Sequence, residues 1–484
     1  MVLTRKQQIL FKRETSEAVN ASPTGSDAVL VYEPSISDSV ETTDRVPAGA
    51  TLSREVVPTG RRTRTISYQS DFRGGGAGGG APDWAEQLEC SAFETAPIVA
   101  IPIAGAITGE GFQMGEIVQE GSSAIRGIVL AAEVGGSIVH RMTAAGTLFV
   151  VEIAGEFTDT ASLEGESSGS TATGGTVTTR TNGYAYKPTS SKIVTLTLSG
   201  GGFSGSDPAA GDVITVERSS AYIGSVQVIS GSGTSFDVTL LDGEVLGSDT
   251  LDAGGGNTAT ITASGVNQTK TPSATIRHNL DGRQRDLVGA RGDFELTADA
   301  GGPLVFAWTW TGDPATAADA VAATTSGLSA IRAPRLFAAD GAIVAFARTV
   351  NVPDDGDTAV PILRLATKSV GYSSGNSVNP DLDANSEGGN RGANVVDRDA
   401  TFSATVNQAH SAFDWESYRD NAQTVHGGVI VGNATGNICG FVVPNGQVLE
   451  ANVGDSDGVA THEVQIKPRR VLEGGDDEVV FFQL

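Results

Sequence analysis

Residues 273–313 read SATIRHNLDGRQRDLVGARGDFELTADAGGPLVFAWTWTGD. Phe294, Leu296 and Ala298 fall on one side of a period-two pattern, with Leu304, Phe306, Trp308 and Trp310 of the next run facing the same way. Apolar and aromatic side chains two residues apart make the core face of paired strands. Asp293, Glu295, Thr297 and Asp299 then lie on a second face that is wet and acidic. Asp281-Gly282 and Gly301-Gly302 supply the turns of a meander.

The same alternation appears upstream, where residues 63–93 read TRTISYQSDFRGGGAGGGAPDWAEQLECSAF. Ile66, Tyr68 and Phe72 share one face of a strand, and Thr63, Thr65, Ser67, Gln69 and Asp71 share the other. Pro82 suits a first helical turn, and Trp84, Ala85 and Leu88 form the buried stripe of a short helix. Gly74, Gly76 and Gly79 fit G-x-G-x-x-G, but no parallel-strand unit and no Gly-Lys-Ser/Thr follow. That motif cradles phosphate only in its βαβ context, so the run reads as a connector.

Composition points the same way. The chain has 484 residues, room for about three domains. With 62 glycines and no long charged runs, it suits short strands and tight turns. Lys and Arg total 32 against 57 Asp and Glu, for a net charge of −25, and the excess begins after residue 73. Such a profile opposes gripping phosphates. Cys90 and Cys439 lack CxxC spacing and read as buried small side chains. The opening residues lack the apolar core of a secretory signal, and no run reaches the roughly 18 apolar residues of a membrane span. A chain soluble where it is made is expected.

In chain order, residues 1–27 read as a polar arm, 28–32 as a strand and 33–47 as a long polar loop punctuated by Pro34 and Pro47. Arg61, Arg62 and Arg64 read as a solvated cluster. Residues 97–183 and 193–262 are two runs of short apolar strands with glycine turns. Gly115-Glu116-Ile117-Val118 parallels Gly211-Asp212-Val213-Ile214, which suggests two related β-modules. The domain expectation is a core of 1–97 and 270–484 interrupted by modules 98–185 and 186–269. Residues 371–398 read as a polar loop and 411–421 as a short helix carrying Phe413, Trp415 and Tyr418.

Nothing indicates catalysis. His140, His278, His410, His426 and His462 have no ligand spacing, and no G-x-S-x-G elbow is present. Asp455-Ser456-Asp457-Gly458 and the run from Asp354 to Asp357 lack the closing Glu of a calcium loop and read as turns. No enzyme activity, cofactor or metal is expected.

The chain resembles the major tail tube protein of long-tailed bacteriophages. The resemblance rests on KRETSEAVNASPTGSDAVLVYE (12–33), on the 63–93 and 273–313 stretches, on YAYKPTS (184–190), and on the closing DGVATHEVQIKP (457–468) and GGDDEVVFFQL (474–484). The family's glycine and apolar pattern is matched by Asp281-Gly282, Leu287, Gly289-Ala290, Gly292, Phe294, Leu296, Ala300-Gly301, Pro303, Phe306 and Gly312. The resemblance covers roughly residues 1–97 and 270–484 and excludes the middle.

It implies an all-β protein: a β-sandwich core with a short helix and one or two inserted β-modules. It also implies a structural subunit whose hexameric rings stack into a hollow tube in the virion tail, made in the host cytoplasm. The implied partners are the chain itself and the tail terminator, tape measure and baseplate proteins, with DNA passing through without specific binding. On this reading Asp71, Asp293, Glu295 and Asp299 face the lumen. Glu33, Asp38, Glu41, Asp44 and Arg45 belong to a ring-stacking loop, and Trp84, Phe294, Phe306, Trp308 and Trp310 form the core. An acidic lining has a physical reason, because basic side chains would release DNA counterions and hold the duplex. The alternative is a tail fibre, decoration protein or adhesin binding host glycans through residues 98–269, for which Tyr184 and Tyr186 give little aromatic surface. A polysaccharide-cleaving enzyme is a third class, without a residue pair that singles it out.

Overall fold

A computed structural model describes residues 7–14, 18–42, 59–75, 80–121, 125–189, 193–209, 212–218, 221–243, 245, 247–254, 256–266, 271–315, 318–319, 323–324, 334, 336–337, 342–349, 362–383, 386, 389–407, 413–433, 436–456, 458–472 and 475–484. The fold is all-β, with two short α-helices, Ala85–Glu89 and Trp415–Asp420, among the described residues. It divides into two compact units, residues 1–188 with 272–484, and residues 189–271.

The smaller unit is a closed antiparallel barrel of six strands: Ile193–Leu198, Val213–Arg218, Ala221–Ser232, Ser235–Gly243, Thr250–Asp252 and Thr258–Val266. Leu196, Ile214, Val226, Phe236, Val238, Leu251 and Ile261 fill it. Closure leaves no unpaired edge.

The larger unit is built on one broad antiparallel sheet. Its strands lie in the order Tyr32–Thr42, Thr59–Asp71, Val305–Pro314, the second half of Arg283–Asp299, Thr367–Ser373, Thr401–Asn407, Val459–Pro468 and the second half of Cys439–Ser456. The two long strands bend, each at a register shift, and their first halves enter outer sheets. One outer sheet joins 283–290 to Ala274–Leu280 and Gln7–Arg13. The other joins 439–447 to Thr424–Val431, Ala342–Arg348 and Val480–Gln483. Cross-sheet ring contacts such as Phe11–Trp310 and Tyr372–Phe481 lie within the sandwich core.

The same plan is used twice. Strands 7–13, 28–29, 32–42 and 59–71, helix 85–89, and strands 274–280, 283–299 and 305–314 form the first set. Strands 342–348, 363–364, 367–373 and 401–407, helix 415–420, and strands 424–431, 439–456 and 459–468 form the second. Every strand pairing within the first set has its counterpart in the second. The repeat suggested for residues 98–269 is absent: the first of those segments forms an open eight-stranded sheet, the second a closed barrel. Short Val/Ile/Gly strings fit both.

Residues 98–179 form that open sheet inside the larger unit. Ile98, Met114, Ile128, Phe149 and Val151 pack on Ala345, Ile430, Val442, Val480 and Phe482, the outward side of the second outer sheet. Its opposite side closes on Val99, Ile101, Phe112, Val129, Leu148 and Val150.

Three expected loops are strands. Within the arm 1–27, Gln7–Arg13 is a sheet strand with Ile9, Leu10 and Phe11 buried. Residues 32–42 pair with 59–69, so Glu33, Asp38 and Glu41 are strand residues, while Asp44 and Arg45 lie outside the described residues. That strand is at an edge and largely exposed on both faces, so its sequence carries no apolar alternation to read. Residues 371–398 contain the end of strand 367–373 and a hairpin, Asn376–Pro380 with Ala393–Arg398.

Candidate functional surface

The broad sheet buries one face and leaves the other polar. On the buried face lie Ile66, Tyr68, Phe294, Leu296, Phe306, Trp308, Trp310 and Tyr372, each at most 2 % exposed. On the other, cross-strand pairing lines up rows of small polar side chains. One row is Gln69, Ala307, Glu295, Ser373 and Thr401; a second is Thr297, Gly371, Ser403, Gln465 and Glu450; a third is Asp299, Ser369, Thr405, Glu463 and Asn452. Glu295, Asp299, Glu450 and Glu463 reach solvent. Lys467 on this face is ion-paired with Asp399. The result is a wide hydroxyl- and carboxylate-bearing surface.

Two of the four expected lumen carboxylates are engaged locally. Asp71 is only 5 % exposed; it accepts from Tyr32 Oη at 3.0 Å and lies 3.4 Å from Arg73 Nη1. Burial and the Asp71 carboxylate push the Tyr32 phenol up. Asp293 accepts from Ser374 Oγ at 2.5 Å and from the Asn376 amide at 2.9 Å, holding the corner where the chain leaves strand 367–373. Period two places a residue on a face but does not reveal such local partners. Glu295 and Asp299 are the pair exposed on that face.

All five expected core aromatics, Trp84, Phe294, Phe306, Trp308 and Trp310, are buried. Trp84 donates its indole N–H to Arg73 O at 2.8 Å, tying the short helix to the end of strand 59–71. Gly74 and Gly75 belong to protein packing rather than to a phosphate cradle. A Cβ on Gly74 would meet Gly436 O, and the Gly75 amide donates to Gln483 Oε1 at 2.7 Å. Gly76 and Gly79 lie outside the described residues.

The hairpin 32–42/59–71 extends past the sheet. Pairing with strand 305–314 stops at Gly312–Arg64, while Ser39–Thr63, Val40–Arg62 and Thr42–Thr59 continue as a two-stranded ribbon. Arg64 is not the solvated cation its sequence suggests. It is 5 % exposed, holds Asp38 through Nε at 2.6 Å and donates to Asp286 O at 2.8 Å, and its hydrogen bond keeps the Asp38 carboxyl below the usual range. Arg61 pairs with Glu41 on the ribbon.

Cys90 and Cys439 are buried thiols whose pKa values burial pushes up, so neither is a poised nucleophile. Among the described residues no group of three His, Cys, Asp or Glu is placed to hold a metal ion, and no helix is long and apolar enough to cross a membrane. The buried polar chain Glu116–Gln113–His426 carried no sequence signal, since His426 lies 313 residues from Gln113 along the chain. No protein-family model and no curated protein matches the chain.

Proposed function

We propose that the chain is the structural subunit of a bacteriophage tail tube, in which closed rings stack and the polar sheet face lines the channel that conducts DNA. The observation that supports this most is the face itself: a broad sheet buried on one side and, on the other, rows of Ser, Thr, Gln and exposed carboxylates. Hydroxyls keep a water layer on the wall, and carboxylates repel phosphates, so a duplex meets no counterion-releasing contact. The ribbon 39–42/59–63 is the ring-to-ring contact in this reading, replacing the loop expected there. Tail terminator, tape measure and baseplate proteins are the partners such a tube would meet in the virion.

The test is Glu295→Lys combined with Asp299→Lys. Tubes of normal width should form by electron microscopy, and genome ejection should slow. Unchanged ejection kinetics with intact tubes would remove the lumen assignment. Compact trimers or elongated fibres in place of hollow tubes would favour the adhesin reading.

A further inference from the structure

Among the described residues the broad sheet has two open edges, strand 32–42 at one end and residues 452–456 at the other. Open edges of this kind template pairing with another chain. The repeated plan says what covers them. Superposing the two sets by register makes Tyr68 equivalent to Ala404, Trp308 to Val464, Leu296 to Val453, Tyr372 to Ile36 and Ser373 to Ser37. Inside the chain, the strand equivalent to 452–456 is already covered. Residues 295–299 pair with 369–373 through Glu295–Ser373, Leu296–Tyr372 and Thr297–Gly371.

We infer that the same junction forms between chains, strand 452–456 of one copy pairing antiparallel with strand 32–42 of the next, and that three copies close the ring. The register carries over directly: Asn452 opposite Ser37, Val453 opposite Ile36, Gly454 opposite Ser35. Two observations support the match. Leu296 is 1 % exposed because the neighbouring set covers it, whereas its equivalent Val453 is 59 % exposed. The Ser374 amide donates to Phe294 O at 3.0 Å at the start of the internal junction, and Arg419 Nη1 donates to the equivalent Ala451 O at 3.1 Å; beyond it residues 452–455 are open, while Ser456 O accepts from Lys368 Nζ at 2.9 Å.

The copy number follows from width and rests on the tube reading; the edge pairing does not. Each chain brings eight strands to the wall. At about 4.8 Å between strands and a tilt of about 40°, three copies give a wall roughly 48 Å across its backbone and a bore of roughly 40 Å inside the side chains. By the same arithmetic two copies leave a bore of roughly 24 Å, nearly filled by a bare duplex about 20 Å wide, and four copies leave roughly 56 Å. Three copies leave about 10 Å of water on each side of one duplex, room for its hydration and counterions without contact with the wall. The six-unit wall implied by the resemblance is then six repeats on three chains.

The experiment introduces Ser37→Cys with Asn452→Cys into the full chain, a non-hydrogen-bonded pair suited to a disulfide. The internal control is Glu295→Cys with Ser373→Cys, which should close within one chain and migrate as a compact monomer. Oxidation of the first variant should give a ladder on a non-reducing gel that ends at three, and rings should weigh three times the 49.5 kDa chain. Val453→Asp should abolish rings while leaving the monomer's circular dichroism unchanged. A ladder reaching four or six, rings in which the oxidised Ser37→Cys/Asn452→Cys pair fails to cross-link, or a chain that stays uncrosslinked at millimolar concentration while the control closes would each overturn the inference. Rings of three that never stack would keep the closure and count against the tube reading.

Discussion

Trp308 and Trp310 in the first repeat stand where Val464 and Ile466 stand in the second, and Tyr68 and Phe294 stand where Ala404 and Ala451 do. The first repeat is filled by ring on ring, with Phe306–Trp308 centroids 4.7 Å apart and Phe294–Trp308 5.1 Å. In the second, the volume is made up from the helix side by Phe413–Trp415 at 4.4 Å and Phe346–Trp415 at 5.9 Å. Strand order and bend survive this exchange, so the plan depends on where apolar residues fall and which turns join them, not on their identity. The second contrast is the step from helix to outer sheet. It takes residues 421–423 in the second repeat and 90–273 in the first, where the open sheet and the barrel are both inserted.

The largest effect should come from cutting that insertion in two ways. Joining residue 188 to 272 removes only the barrel, a separate unit with its own core; the shortened chain should fold and melt at nearly the same temperature. Removing residues 98–182 strips the cover from Ala345, Ile430, Val442, Val480 and Phe482. That apolar sheet face should drive aggregation. Soluble, folded protein from the second deletion would show that the open sheet is an ornament.

Next in size is the core itself. Trp308→Ala should cost about 3–5 kcal/mol by leaving a cavity among the rings of Phe294, Phe306 and Trp310. Val464→Ala at the equivalent position removes far less volume and should cost about 1–3 kcal/mol. Urea unfolding of the two variants measures the difference, and equal losses would mean that the two cores share their load.

How much was legible follows from the same contrast. The hairpin 283–314 was read correctly because its core residues are large and its outward ones polar, the strongest form of the period-two signal. Strand 32–42 was missed because an exposed edge has no apolar face to alternate. The repeat was missed because aromatic positions in one copy are small in the other, and because 184 residues intervene at a step that takes three in its twin. What survives in sequence is Thr65-Ile66-Ser67 against Thr401-Phe402-Ser403, Phe11-Lys12-Arg13 against Phe346-Ala347-Arg348, and Asp83-Trp84 against Asp414-Trp415. Each is too short to stand alone; together, in order, they mark the duplication. Asp71 and Asp293 were placed at the right strand positions, but their hydrogen-bond partners come from strand 32–42, the Arg73 turn and the 374–376 corner, which no spacing rule reaches.

The smallest effect concerns the buried polar cluster where the inserted sheet meets the second repeat. Glu116 is fully buried there, accepting from the Gln113 amide at 2.7 Å and from Ser168 N and Oγ at 3.1 and 3.2 Å. Burial outweighs those hydrogen bonds and pushes its carboxyl up to about 8. The Gln113 side chain in turn meets His426 Nε2 at 3.2 Å, and burial drives that imidazole down to about 3. The signs oppose each other. A carboxyl raised on folding stabilises fully below its ordinary value near 4.5 and loses that contribution as pH rises through about 8; a depressed imidazole stabilises above about 6.5 and loses it as pH falls toward 3. Stability should therefore pass through a maximum between the two limbs. Glu116→Gln keeps the shape, removes the titration, and should flatten the alkaline limb between pH 5 and 8 while leaving the acid limb in place. A melting temperature that still falls across that window in the variant would show that the alkaline loss originates elsewhere than in Glu116.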